Sequence, residues 1–290
     1  MYKSLEEICK ASMQAKKSFW KIIQEDDCNE QSISQEESFE KMKSMYLAMK
    51  YADKDYDETK LSASRLVGTD GARMQKARLD KKTICGDFIG TVMEKAIKMG
   101  ESNACMKRIV AAPTAGSCGV IPAVYISVQE KNNISDGKMT EALYIAAGIG
   151  GVIANRAFLA GAAGGCQAEI GSASAMAAGG VAYLLGGDSY TIANASALAL
   201  KSLLGLVCDP VAGLVEVPCV KRNVIGAVNA LTAADMSIAG IKSKIPPDEV
   251  IDAMRSVGKA LPETLKETGK GGLAETPTGI KERERIMSHD

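Results

Sequence analysis

Histidine is almost missing from this 290-residue chain: the single one, His289, stands one residue from the C-terminus. A Ser-His-Asp triad, a Cys-His pair or a histidine-rich zinc centre inside the fold is therefore excluded unless another chain brings the imidazole. Aromatic residues are scarce at 4%, and no stretch alternates apolar and polar residues as a half-buried strand would. Charge of either sign is not in excess. The 35 basic residues balance 35 acidic ones, so no global field draws the protein to nucleic acid or to an anionic membrane, and a small neutral or zwitterionic partner fits better. The first residues, MYKSLEEICKASMQAKK, lack the apolar run of a signal peptide and the acid-poor make-up of a transit peptide, which predicts a cytoplasmic protein. No Walker A word occurs. A lysine in the small-residue setting of a pyridoxal-phosphate enzyme, ahead of a glycine-rich phosphate cup, is also absent.

Apolar and small residues dominate what remains. At 46% hydrophobic and 24% charged, the chain is long enough to bury a large core as one domain or two. Residues 1–60 are charged and helix-prone: a first helix starts from a Ser4 cap, with Ile8, Met13, Phe19 and Ile22 on a buried face. A polar connector is predicted at DDCNEQSISQEE and a second helix at SFEKMKSMYLAMKYA. From about Asp87 glycine, alanine and small hydroxyl residues take over, most densely between Glu141 and Gly187. Runs of more than ten residues predict buried helices there, and Asn155, Arg156 and the many glycines argue against a membrane span. Further helices are expected at about 188–206, 218–241 and 247–260, the last opened by PPDEV. The expected fold is all-α: a compact bundle of buried Gly/Ala-rich helices, with an N-terminal helical extension (1–60) and a helical catalytic domain (61–290) forming one compact unit.

Two words look like ligand loops and have plainer explanations. GIGGVIA, from Gly148, has no strand before it and reads as close helix packing rather than a dinucleotide loop. TGKGGLA, residues 268–274, is a candidate anion nest in which Lys270 would meet a carboxylate.

Eight cysteines in a reducing compartment invite metal or redox chemistry more than disulfides. Cys9, Cys28, Cys85 and Cys105 read as inert thiols, and Cys118, in PTAGSCGVIPA, is ambiguous. Cys166, Cys208 and Cys219 sit in or beside glycine or proline turns, where backbone can fold around an inorganic group. CDPVAGLVEVPC, from Cys208 to Cys219, fits half a zinc site, packed thiols or a cluster clamp, and spacing alone leaves these open. Three thiolates on a cubane would leave one iron free to take a substrate, whereas four would close it for electron transfer.

The words ESNACMKRIVAAPTAGSCGVIPAV, GGCQAEIGSASAMAAGG, CDPVAGLVEVPC followed by VKRN, and TGKGGLA run in that order between about Ser64 and Gly279. Together they resemble the iron–sulfur-dependent L-serine dehydratases, and more closely the α chain of their two-chain form. The resemblance implies a helical catalytic domain and a [4Fe–4S] cluster on Cys166, Cys208 and Cys219. It implies deamination of L-serine to pyruvate and ammonia, with the open iron as Lewis acid. Gluconeogenic amino-acid catabolism, a β-chain partner and a possible higher oligomer of αβ units follow from it too.

No catalytic base is assigned within the chain. Glu169, Asp209, Glu216, a lysine or a hydroxyl are internal candidates, but the family carries a Ser-Ser-His-Thr word in its β portion, so the resemblance makes a histidine of the partner chain the expected base. Asn103, Thr114, Ser117 and Lys270 are candidate substrate contacts, and GTDGARM adds Asp70 and Arg73 as supports. The chain departs from single-chain relatives in two ways. It ends ERERIMSHD without their terminal cysteine, and FLAGAAGG puts Ala160 and Ala163 where they have a serine and a glutamate. Two other readings keep a place: the same open cluster acting on another small hydroxy acid, and a non-catalytic scaffold binding structural zinc.

Overall fold

Helix starts follow the local chemistry of capping. The computed structural model describes residues 2–288, so the lone histidine lies outside the described residues. Ser4 accepts a hydrogen bond from the Glu7 amide at 3.0 Å and opens α1 (Leu5–Ala15). That helix stops at Lys16, which adopts the left-handed conformation, and α2 (Phe19–Gln31) begins afresh after Ser18. The single long helix expected here is thus two. Met13 lies off the buried face of α1 and is 61% exposed, while Leu5, Ile8 and Cys9 of α1 and Phe19 and Ile22 of α2 are buried. The polar connector shrinks accordingly. Residues up to Gln31, Cys28 included, belong to α2, and α3 (Gln35–Lys54) starts directly from a Ser34 cap on the Glu37 amide.

After a loop come α4 (Asp70–Leu79) and α5 (Gly86–Ala104), then α6 (Val120–Asn132), α7 (Asp136–Arg156) and the short α8 (Gly161–Gly164). A π-turn at Gln167–Gly171 leads straight into α9 (Ser172–Leu184). The remaining helices are α10 (Ser189–Lys201), α11 (Cys219–Ile238), α12 (Pro247–Ala260) and α13 (Pro277–Met287). No strand occurs among the described residues, and the one β-bridge joins Cys208 to Lys266. The fold is all-α, as composition and periodicity predict. None of the described helices is long and apolar enough to cross a membrane.

Helix α9 is the axis of the bundle, with α6, α7, α10 and α11 packed around it. Small residues make this possible. A methyl group on Gly180 would stand 1.7 Å from the Tyr125 hydroxyl of α6, which itself donates to the Ala142 carbonyl of α7 at 3.0 Å. Close approach of three helices therefore depends on a missing side chain. Gly148 of α7 likewise lies against Ile23 of α2, so GIGGVIA serves helix packing. Helices α1, α2 and α3 contribute Leu5, Ile8, Phe19, Tyr46 and Met49 to the same buried cluster as α9, packing on α7 and α10. On the opposite side α5 runs along α11, and the C-terminal segment lies across the loop between Cys208 and Cys219.

Candidate metal centre

Three remote segments meet at one end of α9. Cys166 precedes the π-turn, Cys208 follows the turn after α10, and Cys219 is the first residue of α11; all three are buried. The sulfurs of Cys166 and Cys208 and a carboxylate oxygen of Glu169 lie within 4.8 Å of one another. Cys219 stands outside that tight trio. The Cys166 and Cys208 thiols share a hydrogen bond, which lowers the pKa of Cys166 and, with burial, raises that of Cys208. Burial pushes Cys219 up as well.

The glycine turn before Cys166 is fixed by Gln167. Its amide nitrogen donates to the Gly164 carbonyl at 2.9 Å and the Met254 carbonyl at 3.2 Å, and its oxygen accepts from the Gly205 amide at 2.9 Å. The π-turn then advances the backbone by an extra residue, placing Glu169 beside the thiols; such insertions recur where side chains must be re-aimed. Gly165, at φ +78°, lets the chain pass under the Leu206 carbonyl, where a methyl group would come within 2.9 Å.

Cys208 is held by the C-terminal segment. Its amide donates to the Leu265 carbonyl at 2.9 Å, and its carbonyl accepts from the Glu267 amide at 2.8 Å. Next to it, Asp209 accepts from the Leu273 amide at 2.9 Å through Oδ2 and from Arg222 Nη2 at 2.8 Å through Oδ1. Arg222 also donates to the Val207 carbonyl at 2.7 Å and lies 3.5 Å from the Cys166 sulfur. A part-buried guanidinium is thus shared between a carboxylate and a thiol. Asn223 performs the matching task for Cys219, donating to its carbonyl and to that of Gly116, both at 2.9 Å, while accepting from the Gly119 amide at 2.8 Å.

Of the internal acid candidates, Glu169 alone faces the thiols. Asp209 is committed to Arg222 and Leu273, and Glu216 accepts from the hydroxyls of Ser62 and Ser64. Glu169 is 8% exposed; Thr114 Oγ1 donates to its Oε1 at 2.6 Å, and burial raises its pKa. Among the substrate candidates, Thr114 therefore borders the thiol group. Ser117 caps the same turn, donating to and accepting from Thr114, and Asn103 reaches the Ala115 carbonyl at 3.4 Å. Lys270 is exposed in the loop that follows Glu267. Asp70 and Arg73 pair with each other at the start of α4, and Asp70 also ties Lys221 of α11 at 2.6 Å. Cys118 is removed from the centre: wholly buried, it donates to the Met99 carbonyl, and burial alone pushes its thiol up to about 12. Ala160 and Ala163 lie exposed on either side of the buried Gly161 in α8.

Sequence reasoning passed over Arg222, Asn223 and Glu267. The first two sit in VKRN directly after Cys219, and adjacency to a candidate ligand was the available signal. The donor set itself is soft: three thiols from three segments, without histidine, suits zinc or an iron–sulfur group and disfavours hard cations. Sulfurs on different irons of one cluster need not converge on a single point, so the wider placement of Cys219 fits a multinuclear group better than a closed single-ion site.

The family model described as serine dehydratase alpha chain matches residues 14–274. A probable L-serine dehydratase alpha chain of Bacillus subtilis is 47% identical over 266 residues, covering 92% of this chain and 88% of the relative. The L-serine dehydratase alpha chain of Peptoniphilus asaccharolyticus is 39% identical over 267 residues, 92% and 91% of the two chains. The Helicobacter pylori L-serine dehydratase is 41% identical over 208 residues, 69% of this chain but only 46% of that longer protein. With the match running from α1 through the loop that holds Cys208, the chain belongs to the serine dehydratase alpha chain family.

Proposed function

We propose that this chain is the cluster-bearing half of an L-serine dehydratase, a lyase that converts L-serine to pyruvate and ammonia. The reading has Cys166, Cys208 and Cys219 holding a [4Fe–4S] cluster, and it is independent of pyridoxal phosphate. The observation that carries it is the convergence of Cys166 and Cys208 from positions 42 residues apart, each braced by its own buried hydrogen-bond network. When bound, such a cluster supplies Lewis acidity at an iron that no cysteine closes.

The chain's own residues do the rest. Arg222 places positive charge beside the Cys166 sulfur, favouring its thiolate form. Thr114, oriented by Ser117, holds the Glu169 carboxyl in place next to the thiols. Asn103 and Lys270 are further candidate contacts for the substrate. The imidazole that abstracts the Cα proton would come from a β chain, in a cytoplasmic αβ complex able to form higher oligomers.

Anaerobic reconstitution of this chain with iron and sulfide, with and without its β chain, tests the reading. About four irons and matching sulfide per chain, with rapid pyruvate formation from L-serine only in the complex, is the expected result. Zinc without sulfide would instead favour a structural metal scaffold. A loaded complex that makes no pyruvate would remove the catalytic claim.

A further inference from the structure

Two carboxylates, not one, face the space beside Cys208. A methyl group built on Gly161 would stand 2.8 Å from Glu169 Oε2, 2.9 Å from Cys208 Sγ and 3.3 Å from Glu267 Oε2. With no side chain at Gly161, these three atoms pack against its backbone and converge there. Thr114 takes Oε1 of Glu169, which is 8% exposed, whereas Oε2 receives no hydrogen bond among the described residues. The half-buried Glu267 carboxylate makes no hydrogen bond or ion pair among the described residues. Its position is built in, because its amide donates to the Cys208 carbonyl at 2.8 Å and its backbone is held at φ +63°, a conformation unfavourable for a residue with a side chain.

The part-buried cation of the thiol site is already engaged. Arg222 is divided between Asp209, the Val207 carbonyl and the Cys166 sulfur. Among the described residues Glu169 and Glu267 therefore have no positive partner, and a carboxylate as buried as that of Glu169 is costly until one arrives. An amino acid such as serine carries a single cation, its α-ammonium. Its carboxylate and hydroxyl are the groups a Lewis acid takes, which leaves the ammonium to be met by protein.

We infer that Glu267, paired with Oε2 of Glu169 across Gly161, receives the α-ammonium of the substrate and makes the site select amino acids over hydroxy acids. This rests on the proposed dehydratase reading and deepens it. An ammonium has three donors and forms short, charge-assisted bonds to carboxylates. A hydroxy acid offers no cation, so binding it would leave both carboxylates unpaired, and sites built for a polar partner reject analogues that lack it. Glu267 is thereby a specificity residue, distinct from the residues that hold the cluster.

The test uses the anaerobic, cluster-loaded αβ complex and calorimetric titration with two probes, L-alanine, which has the ammonium but no hydroxyl, and 3-hydroxypropionate, which has the hydroxyl but no ammonium. Glu267→Gln is expected to weaken L-alanine about 10- to 100-fold, the loss typical of one member of a buried charge pair, and to leave 3-hydroxypropionate unchanged within about twofold. The KM for L-serine should rise with it while iron and sulfide content stay at wild-type values. Glu267→Gly, which suits the left-handed backbone, should show the same pattern and covers the case in which the glutamine variant does not fold. Unchanged L-alanine binding in both variants, or equal loss of both probes, would overturn the inference while leaving the dehydratase reading intact. A wild-type complex that takes up no iron and sulfide would overturn that reading and this inference with it.

Discussion

The guanidinium of Arg222 lies 3.5 Å from the Cys166 sulfur while its other nitrogen holds Asp209 at 2.8 Å, so one part-buried cation joins two of the chain segments that form the thiol site. Asp209 passes the connection on to the Leu273 amide and hence to the C-terminal loop. The arrangement ties the glycine turn, the start of α11 and the tail into one unit.

Arg222→Gln should break that unit. It leaves Asp209 buried without its cation, a loss of roughly 3–5 kcal/mol for a pair of this kind. A lower urea midpoint and a reduced iron content after reconstitution are expected. Arg222→Lys keeps the charge but not the fork, and should fall between the two.

Single Cys→Ser substitutions separate the thiols by role. Cys166→Ser, Cys208→Ser and Cys219→Ser should each lower bound iron and sulfide severely, whereas Cys118→Ser should retain wild-type content. Cys118 lies in its own small cluster with Ala52 and Met99, and its thiol bonds to the Met99 carbonyl rather than facing the other three. Metal and sulfide analysis of the four reconstituted chains decides the matter.

Gly180→Ala tests the packing around α9. The added methyl would collide with the Tyr125 hydroxyl, and overpacking of this sort costs about 1–3 kcal/mol or more. Adding Tyr125→Phe removes the hydroxyl, so the double variant should regain part of the loss in chemical denaturation. Equal stability of single and double variants would mean the helices shift apart instead.

Asp188 caps α10, accepting from the Thr191 amide and hydroxyl at 2.8 and 2.7 Å, and these bonds hold its carboxyl below the usual range. A depressed folded-state pKa means the stabilisation is present above the unfolded value of about 3.9 and is lost as pH falls through the lower folded value. Asp188→Ala should therefore cost about 1 kcal/mol at neutral pH. The gap from wild type should narrow below about pH 4, as denaturation curves at several pH values will show.

Local chemistry was legible in the sequence wherever it acts over a few residues. The Ser4 cap and the Pro247 start of α12 are where neighbouring residues predict them, because a cap needs only an amide three positions on. The Gly/Ala-rich helices followed from composition, and the three candidate ligands from the order of their words. The split between α1 and α2 was not legible, because Lys16 takes a left-handed conformation that its side chain does not announce. Met13 is exposed because it lies off the α1 face that buries Leu5, Ile8, Cys9 and Ser12.

By itself, then, the sequence determined the helical class, the caps and the soft, histidine-free character of the candidate centre. Only the tertiary structure decided which acids belong to it: Glu169 and Glu267 face the thiols, while Asp209 and Glu216 are committed elsewhere. The reason is physical. Glu169 and Glu267 are 98 positions apart and meet only because the π-turn advances one and the Cys208 backbone pairing carries the other. Neither effect is written in the residues on either side of them.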